Sequence, residues 1–120
     1  MASEQRLNRI NELIRRELGQ LILREVELEQ GVFVTITNVK TCSEITDVKI
    51  YVSVFPQQQA KQVLELLTRK AGYLQHLLNR KLVMRFVPRI VFALDSDLNK
   101  AQNVEALLEK VKIEDKEINE

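Results

Sequence analysis

The chain has 120 residues, 45% of them hydrophobic, which suits one domain with a real core. Its 18 Lys and Arg nearly cancel its 17 Asp and Glu, and its apolar runs fall short of the about 20 residues of a membrane helix. A polar N-terminus, MASEQRLNRI, shows no signal peptide, so a cytoplasmic protein with no membrane partner is expected, and the single Cys42 excludes an internal disulfide or a cysteine-based zinc site.

Ser3 is placed to cap a helix starting near Glu4. Leu7, Ile10, Ile14, Leu18 and Leu21 recur at helical spacing, and Arg6, Arg9, Arg16 and Arg24 fall on another sector. On the helix alone that second sector reads as a solvated face balanced by Glu12 and Glu17, with a second basic surface as the sharper alternative. Gly31 ends this unit. Residues 32–40 (VFVTITNVK) are β-branched and read as a strand; residues 41–46 form a turn. In residues 47–55 (DVKIYVSVF), Val48, Ile50, Val52 and Val54 alternate with Lys49, Tyr51 and Ser53, the pattern of a half-buried strand paired as a hairpin with the first. Pro56 stops it.

A long helical run follows. Ala60, Val63, Leu64, Leu67, Ala71, Leu74 and Leu78 make a stripe that passes straight through Gly72. Glycine inside a helix costs about 1 kcal/mol relative to alanine, so either something compensates or the helix bends. Residues 82–94 read as a third strand, with Pro88 marking an edge or a bulge. Asp95, Ser96 and Asp97 suit a turn or a helix cap. Residues 99–112 suit a short C-terminal helix, and residues 113–120 (IEDKEINE) a disordered acidic tail. The order predicts an α+β domain over residues 1–98, with helices on one face of a three-stranded sheet.

Charge is segregated along this order. Residues 61–90 carry seven basic residues (Lys61, Arg69, Lys70, Arg80, Lys81, Arg85, Arg89) against Glu65 alone, while residues 91–120 carry four basic and eight acidic. On a continuous helix Arg69, Tyr73, His76 and Arg80 share the face opposite the leucines, and Arg85 and Arg89 share one face of the expected strand. Cations beside an aromatic ring suit phosphate contacts with base stacking, and Gly72, lacking a Cβ, admits a close backbone. Each residue alone reads as solvated surface; the cluster points to nucleic acid. Catalysis has weaker support, because His76 and Cys42 lie on separate elements and Asp95 with Asp97 suits a cap better than a cation site. Phosphate-loop, dinucleotide and metal motifs are absent from the sequence. A protein-binding adaptor using the C-terminal helix or acidic tail is the third reading.

The sequence resembles bacterial ribosome-binding factor A along almost its whole length, to about Asp97. The resemblance is carried by RLNRINELIRREL, by VTITNVKTCSEITDVKIYVSVF, and most of all by AGYLQHLLNRKLVMRFVPRIVFALDSD, with its Ala-Gly-aromatic-Leu and Phe-x-x-Asp. It implies a single-domain type II KH-like fold, a three-stranded mixed sheet covered by helices. It also implies a helix kink at Lys70-Ala71-Gly72, where family members carry Ala-x-Gly; many have an arginine near the position of Gln75. The implied role is a non-enzymatic assembly factor, without cofactor or metal. It would bind the free immature 30S subunit and its 16S rRNA and act in late maturation, 5′-end processing and cold adaptation. The expected rRNA contacts are Arg69, Lys70, Gly72, Tyr73, Arg80, Lys81, Arg85 and Arg89, extended by Arg6, Arg9 and Arg16. A monomer with no small-molecule substrate is expected.

Overall fold

A computed structural model describes residues 3–96. The expected C-terminal helix (99–112) and acidic tail (113–120) lie outside the described residues. Within them the order is α1 (Glu4–Glu25), β1 (Phe33–Thr41), β2 (Asp47–Phe55), a short 3-10 turn (Gln57–Gln59), α2 (Ala60–Lys81) and β3 (Arg89–Leu94). The sheet order is β1-β2-β3, with β1 antiparallel and β3 parallel to β2. This is the α+β, mixed three-stranded arrangement that the resemblance implies.

The core follows the sequence periodicities. Ser3 caps α1, its Oγ accepting from the Arg6 N–H at 3.1 Å, and Ile10, Ile14, Leu18, Leu21 and Ile22 are buried. They meet Val48, Ile50 and Val52 of β2, Ile90 and Phe92 of β3, and Val63, Leu67, Leu74 and Leu78 of α2. Each fully buried aliphatic contributes about 1.5–3 kcal/mol of transfer free energy. β2 alternates as its sequence predicts, because one face meets the helices and the other meets water.

β1 changes phase. Ile36 pairs with Val52 but Asn38 pairs with Tyr51, so Thr37 is the extra residue of a bulge. Inward positions therefore run Val34, Ile36 and then Val39. Helix side chains hold both sheet edges, where unpaired backbone groups would otherwise face water. On α1, Arg15 donates to the carbonyls of Ile36 (3.3 Å) and Thr37 (2.9 Å), and Asn11 Oδ1 accepts from the Thr41 N–H (3.1 Å) and hydroxyl (2.6 Å). On α2, Gln75 Oε1 accepts from the Ile90 N–H at 2.8 Å while its Nε2 donates to the Pro88 carbonyl at 3.2 Å. Gln75 thus docks α2 on β3.

Two boundaries are corrected, and α2 runs as one helix through Lys70, Ala71 and Gly72. The apolar stripe explains why: Val63, Leu67, Leu74 and Leu78 lie on both sides of Gly72 yet bury on one face, which only a continuous helical period achieves. The third strand begins at Arg89, not residue 82, because Leu82–Pro88 carries the chain from the helix end back to the sheet. Pro88, which has no N–H for a ladder, is buried just before the strand starts. Finally, α1 stops at Glu25, and Gly31 (φ +84°) serves the turn into β1.

Candidate nucleic-acid interface

The unbroken α2 keeps Arg69, Tyr73, His76 and Arg80 at steps of four, three and four residues, so they share one exposed face. The adjoining sector of α2 meets the C-terminal end of α1. There Arg24 approaches Leu77, Arg80 and Lys81 around a shallow recess. Among the described residues neither Arg80 nor Lys81 has a carboxylate within 4 Å.

This edge contains an acid that lies far away in sequence. Glu25 accepts from the Tyr73 hydroxyl at 3.1 Å and from Arg24 Nε at 2.8 Å. Its carboxyl is held below the usual range, first by the Arg24 hydrogen bond and then by that of Tyr73, with the charges of Arg24 and Lys70 adding to the effect. The Tyr73 phenol is pushed up, chiefly because its proton is shared with the Glu25 carboxylate. Tyr73, about half exposed at 51%, is thus oriented by α1 with part of its surface open. The basic stretch is less free of compensating acid than its sequence suggests.

Arg89 is also partly committed. Its Nε meets Asp47 Oδ1 at 3.1 Å, and its N–H donates to the Thr46 carbonyl at 3.0 Å, joining the start of β3 to the start of β2. It lies at an open groove of about 560 Å³ between α2 and β3, together with Thr68, Ala71, Gly72 and Gln75. Nothing lies within 4 Å of the position a Cβ on Gly72 would take, so the groove floor is open at that point. Arg69 lies on the exposed face of α2, outside the residues that line this groove.

Arg85 sits in the segment before β3 and does not share a strand face with Arg89. It joins Arg6 and Arg9 of α1 in a separate cleft, which also contains the exposed side chains of Val83 and Phe86. Arg16 stands on the outer face of α1, 4.0 Å from Glu17. Most of the expected contacts therefore fall into an α1–α2 edge, an α2–β3 groove and a cleft near the start of α1, while Arg16 and Arg69 stand on exposed helix faces. The sequence does not mark Phe86 and Val83 as cleft residues, because residues 82–94 read as one strand; Pro88 is the signal that the strand starts later.

Cys42 and His76 are accounted for separately. Cys42 Sγ lies 3.2 Å from Thr46 Oγ1 and accepts from the N–H groups of Thr46 and Asp47 at 3.4 Å, which push its thiol pKa down, the hydroxyl most. It organises the β1–β2 turn. His76 is exposed on α2. Among the described residues no cluster of three His, Cys, Asp or Glu could hold a metal ion, and no helix is long and apolar enough to cross a membrane.

The model of the ribosome-binding factor A family matches residues 6–108, which takes in all the elements described above except the first two residues of α1. The chain belongs to the ribosome-binding factor A family. A curated ribosome-binding factor A of Parasynechococcus marenigrum is 38% identical over 124 aligned positions, covering 100% of this chain and 92% of the relative. Among solved structures, the crystal structure of ribosome-binding factor A from Thermus thermophilus superposes with a TM-score of 0.63 at 21% identity, covering 73% of this chain and 93% of that one. At that identity the likeness speaks for the fold alone. A homology model of the Thermus thermophilus factor fitted into a cryo-EM map of its 30S complex has a TM-score of 0.57 at 25% identity, covering 68% of this chain and 87% of that one.

Proposed function

We propose that this protein is a cytoplasmic ribosome assembly factor that binds the free immature 30S subunit through its 16S rRNA. In this reading it acts as a monomer in late maturation, including 16S rRNA 5′-end processing, with its greatest importance in the cold. It works by binding, without catalysis, cofactor or metal. Arg69, Lys70, Arg80, Lys81, Arg85 and Arg89 hold rRNA phosphates, Arg6, Arg9 and Arg16 extend that surface, Tyr73 offers a ring beside it, and Gly72 admits a close backbone approach. The observation that carries this reading is the α1–α2 edge: Arg80, Lys81 and Arg24 converge there, in a family whose Thermus thermophilus member has been fitted into a 30S complex.

Phosphate contacts release counterions, so association should fall steeply with salt. Six contacts correspond to a loss of roughly 10³-fold between about 50 and 200 mM salt. The test is co-sedimentation of the purified protein with free small subunits and with whole ribosomes. Free subunits should retain it, and Arg80→Ala with Lys81→Ala should weaken that retention without changing the melting temperature. Unchanged retention would remove the α1–α2 edge from the interface. Equal retention on any structured RNA would replace a subunit-specific factor with a general RNA-binding module.

A further inference from the structure

The cleft around Arg6, Arg9, Arg85 and Phe86 carries a more specific reading. Its volume is about 800 Å³, within the roughly 300–1,000 Å³ of ligand-binding clefts. Three separate elements build it: the first turns of α1, the β1–β2 turn, and the segment between α2 and β3. The third element is anchored at both ends, since Leu82 and Pro88 are buried, yet between them Val83 is fully exposed and Phe86 is 62% exposed. Two exposed apolar residues would mean little if scattered; here they share a cleft with Ile10 and Ile45.

The β1–β2 turn is equally fixed. Ile45 has φ +57°, a conformation that a β-branched residue rarely adopts, and it is held by its own N–H donating to the Cys42 carbonyl at 2.9 Å and by the hydrogen bonds around Cys42 Sγ. Charge completes the cleft. Among the described residues Arg6, Arg9 and Arg85 have no carboxylate within 4 Å. Glu44, on the opposing turn, is the acid at the cleft. It disfavours a densely acidic peptide and supplies an acceptor for the exocyclic amino group of a base.

We propose that this cleft takes one unstacked nucleotide of single-stranded rRNA, its base stacked on Phe86 and its neighbouring phosphates held by Arg6, Arg9 and Arg85. The inference rests on the rRNA-binding reading above and adds a base-stacking subsite to it. An aromatic face flanked by planar guanidiniums suits a single strand, whose bases are free to turn outward, and not a duplex, whose bases are stacked within the helix.

The test measures binding of the full chain to a short fluorescein-labelled single-stranded RNA, and to the same sequence as a duplex, by anisotropy. Co-sedimentation with small subunits is measured in parallel. Stacking predicts that Phe86→Ala and Phe86→Leu each weaken single-strand binding about 5- to 150-fold, that Phe86→Trp retains it, and that duplex binding changes little. Phe86 is exposed, so all three variants should melt as the parent does. If Phe86→Leu binds as the parent does while Phe86→Ala is weakened, the contact is merely apolar, as a protein segment would make, and the inference is overturned. If all variants bind the single strand alike while the parent still sediments with subunits in a salt-sensitive way, the stacking site is refuted and the rRNA reading stands. If the parent neither sediments with subunits nor binds the strand, the rRNA reading fails and takes this inference with it.

Discussion

Replacing Gly72 with alanine separates two roles for one residue. Because α2 runs unbroken through position 72, the substitution exchanges the least favourable ordinary residue of a helix interior for the most favourable, a gain of about 0.8–1 kcal/mol. The new Cβ meets nothing within 4 Å, so no steric term opposes that gain. For a domain of this size the gain corresponds to a rise in Tm of about 3–6 °C, measured by circular dichroism or calorimetry. Subunit co-sedimentation should move the other way. The added methyl group enters the α2–β3 groove, where the proposed function places a close rRNA backbone, so retention should weaken while the fold is strengthened. A Gly72→Ala variant that melts below the parent would refute the continuous helix, since only a bend or a special backbone conformation makes alanine costly there. A variant that melts higher and sediments unchanged would leave the helix intact and remove Gly72 from the interface.

Gln75→Ala should destabilise the fold by about 1–3 kcal/mol, because the Ile90 N–H and the Pro88 carbonyl lose their side-chain partner; faster amide exchange at Ile90 would locate the loss. Glu25→Gln should bring the Tyr73 phenol back down toward the ordinary value of about 10, read by ultraviolet titration in a Tyr51→Phe background. The pH dependence of the native contact has a defined sign. The folded pKa of Glu25 lies below its ordinary value, so the stabilisation is present above that value and is lost as pH falls through the depressed one. Leu74→Ala, at a site with no exposure, should cost about 2–5 kcal/mol in chemical denaturation.

Much of the fold is legible from period alone. The 3.6-residue spacing of Ile10, Ile14, Leu18 and Leu21 and the two-residue spacing of Val48, Ile50 and Val52 each place a side chain on a face without knowledge of its partner. The same logic, followed through residues 60–81, permits one unbroken helix. The buried stripe on both sides of Gly72 outweighs the roughly 1 kcal/mol penalty of a single glycine and keeps the helix continuous. The β1 bulge also had a trace in the sequence, since the inward residues change from Val34 and Ile36 to Val39, an odd step within an alternating strand.

The interface was less legible, because charge in a sequence window counts only near neighbours along the chain. Residues 61–90 show one acid, yet folding brings Glu25 to Tyr73 and Asp47 to Arg89 from 48 and 42 residues away. The same limitation hid the cleft, whose arginines come from opposite ends of the domain sequence. Composition and periodicity determined an α+β domain with its basic residues concentrated around the second helix, and the motifs carried its resemblance to the ribosome-binding factor A family. Only the tertiary structure decided which of those cations are tied to acids, which polar side chains hold the sheet edges, and where Phe86 stands. Each of those outcomes depends on groups that meet through space, and local spacing along the chain carries no information about such meetings.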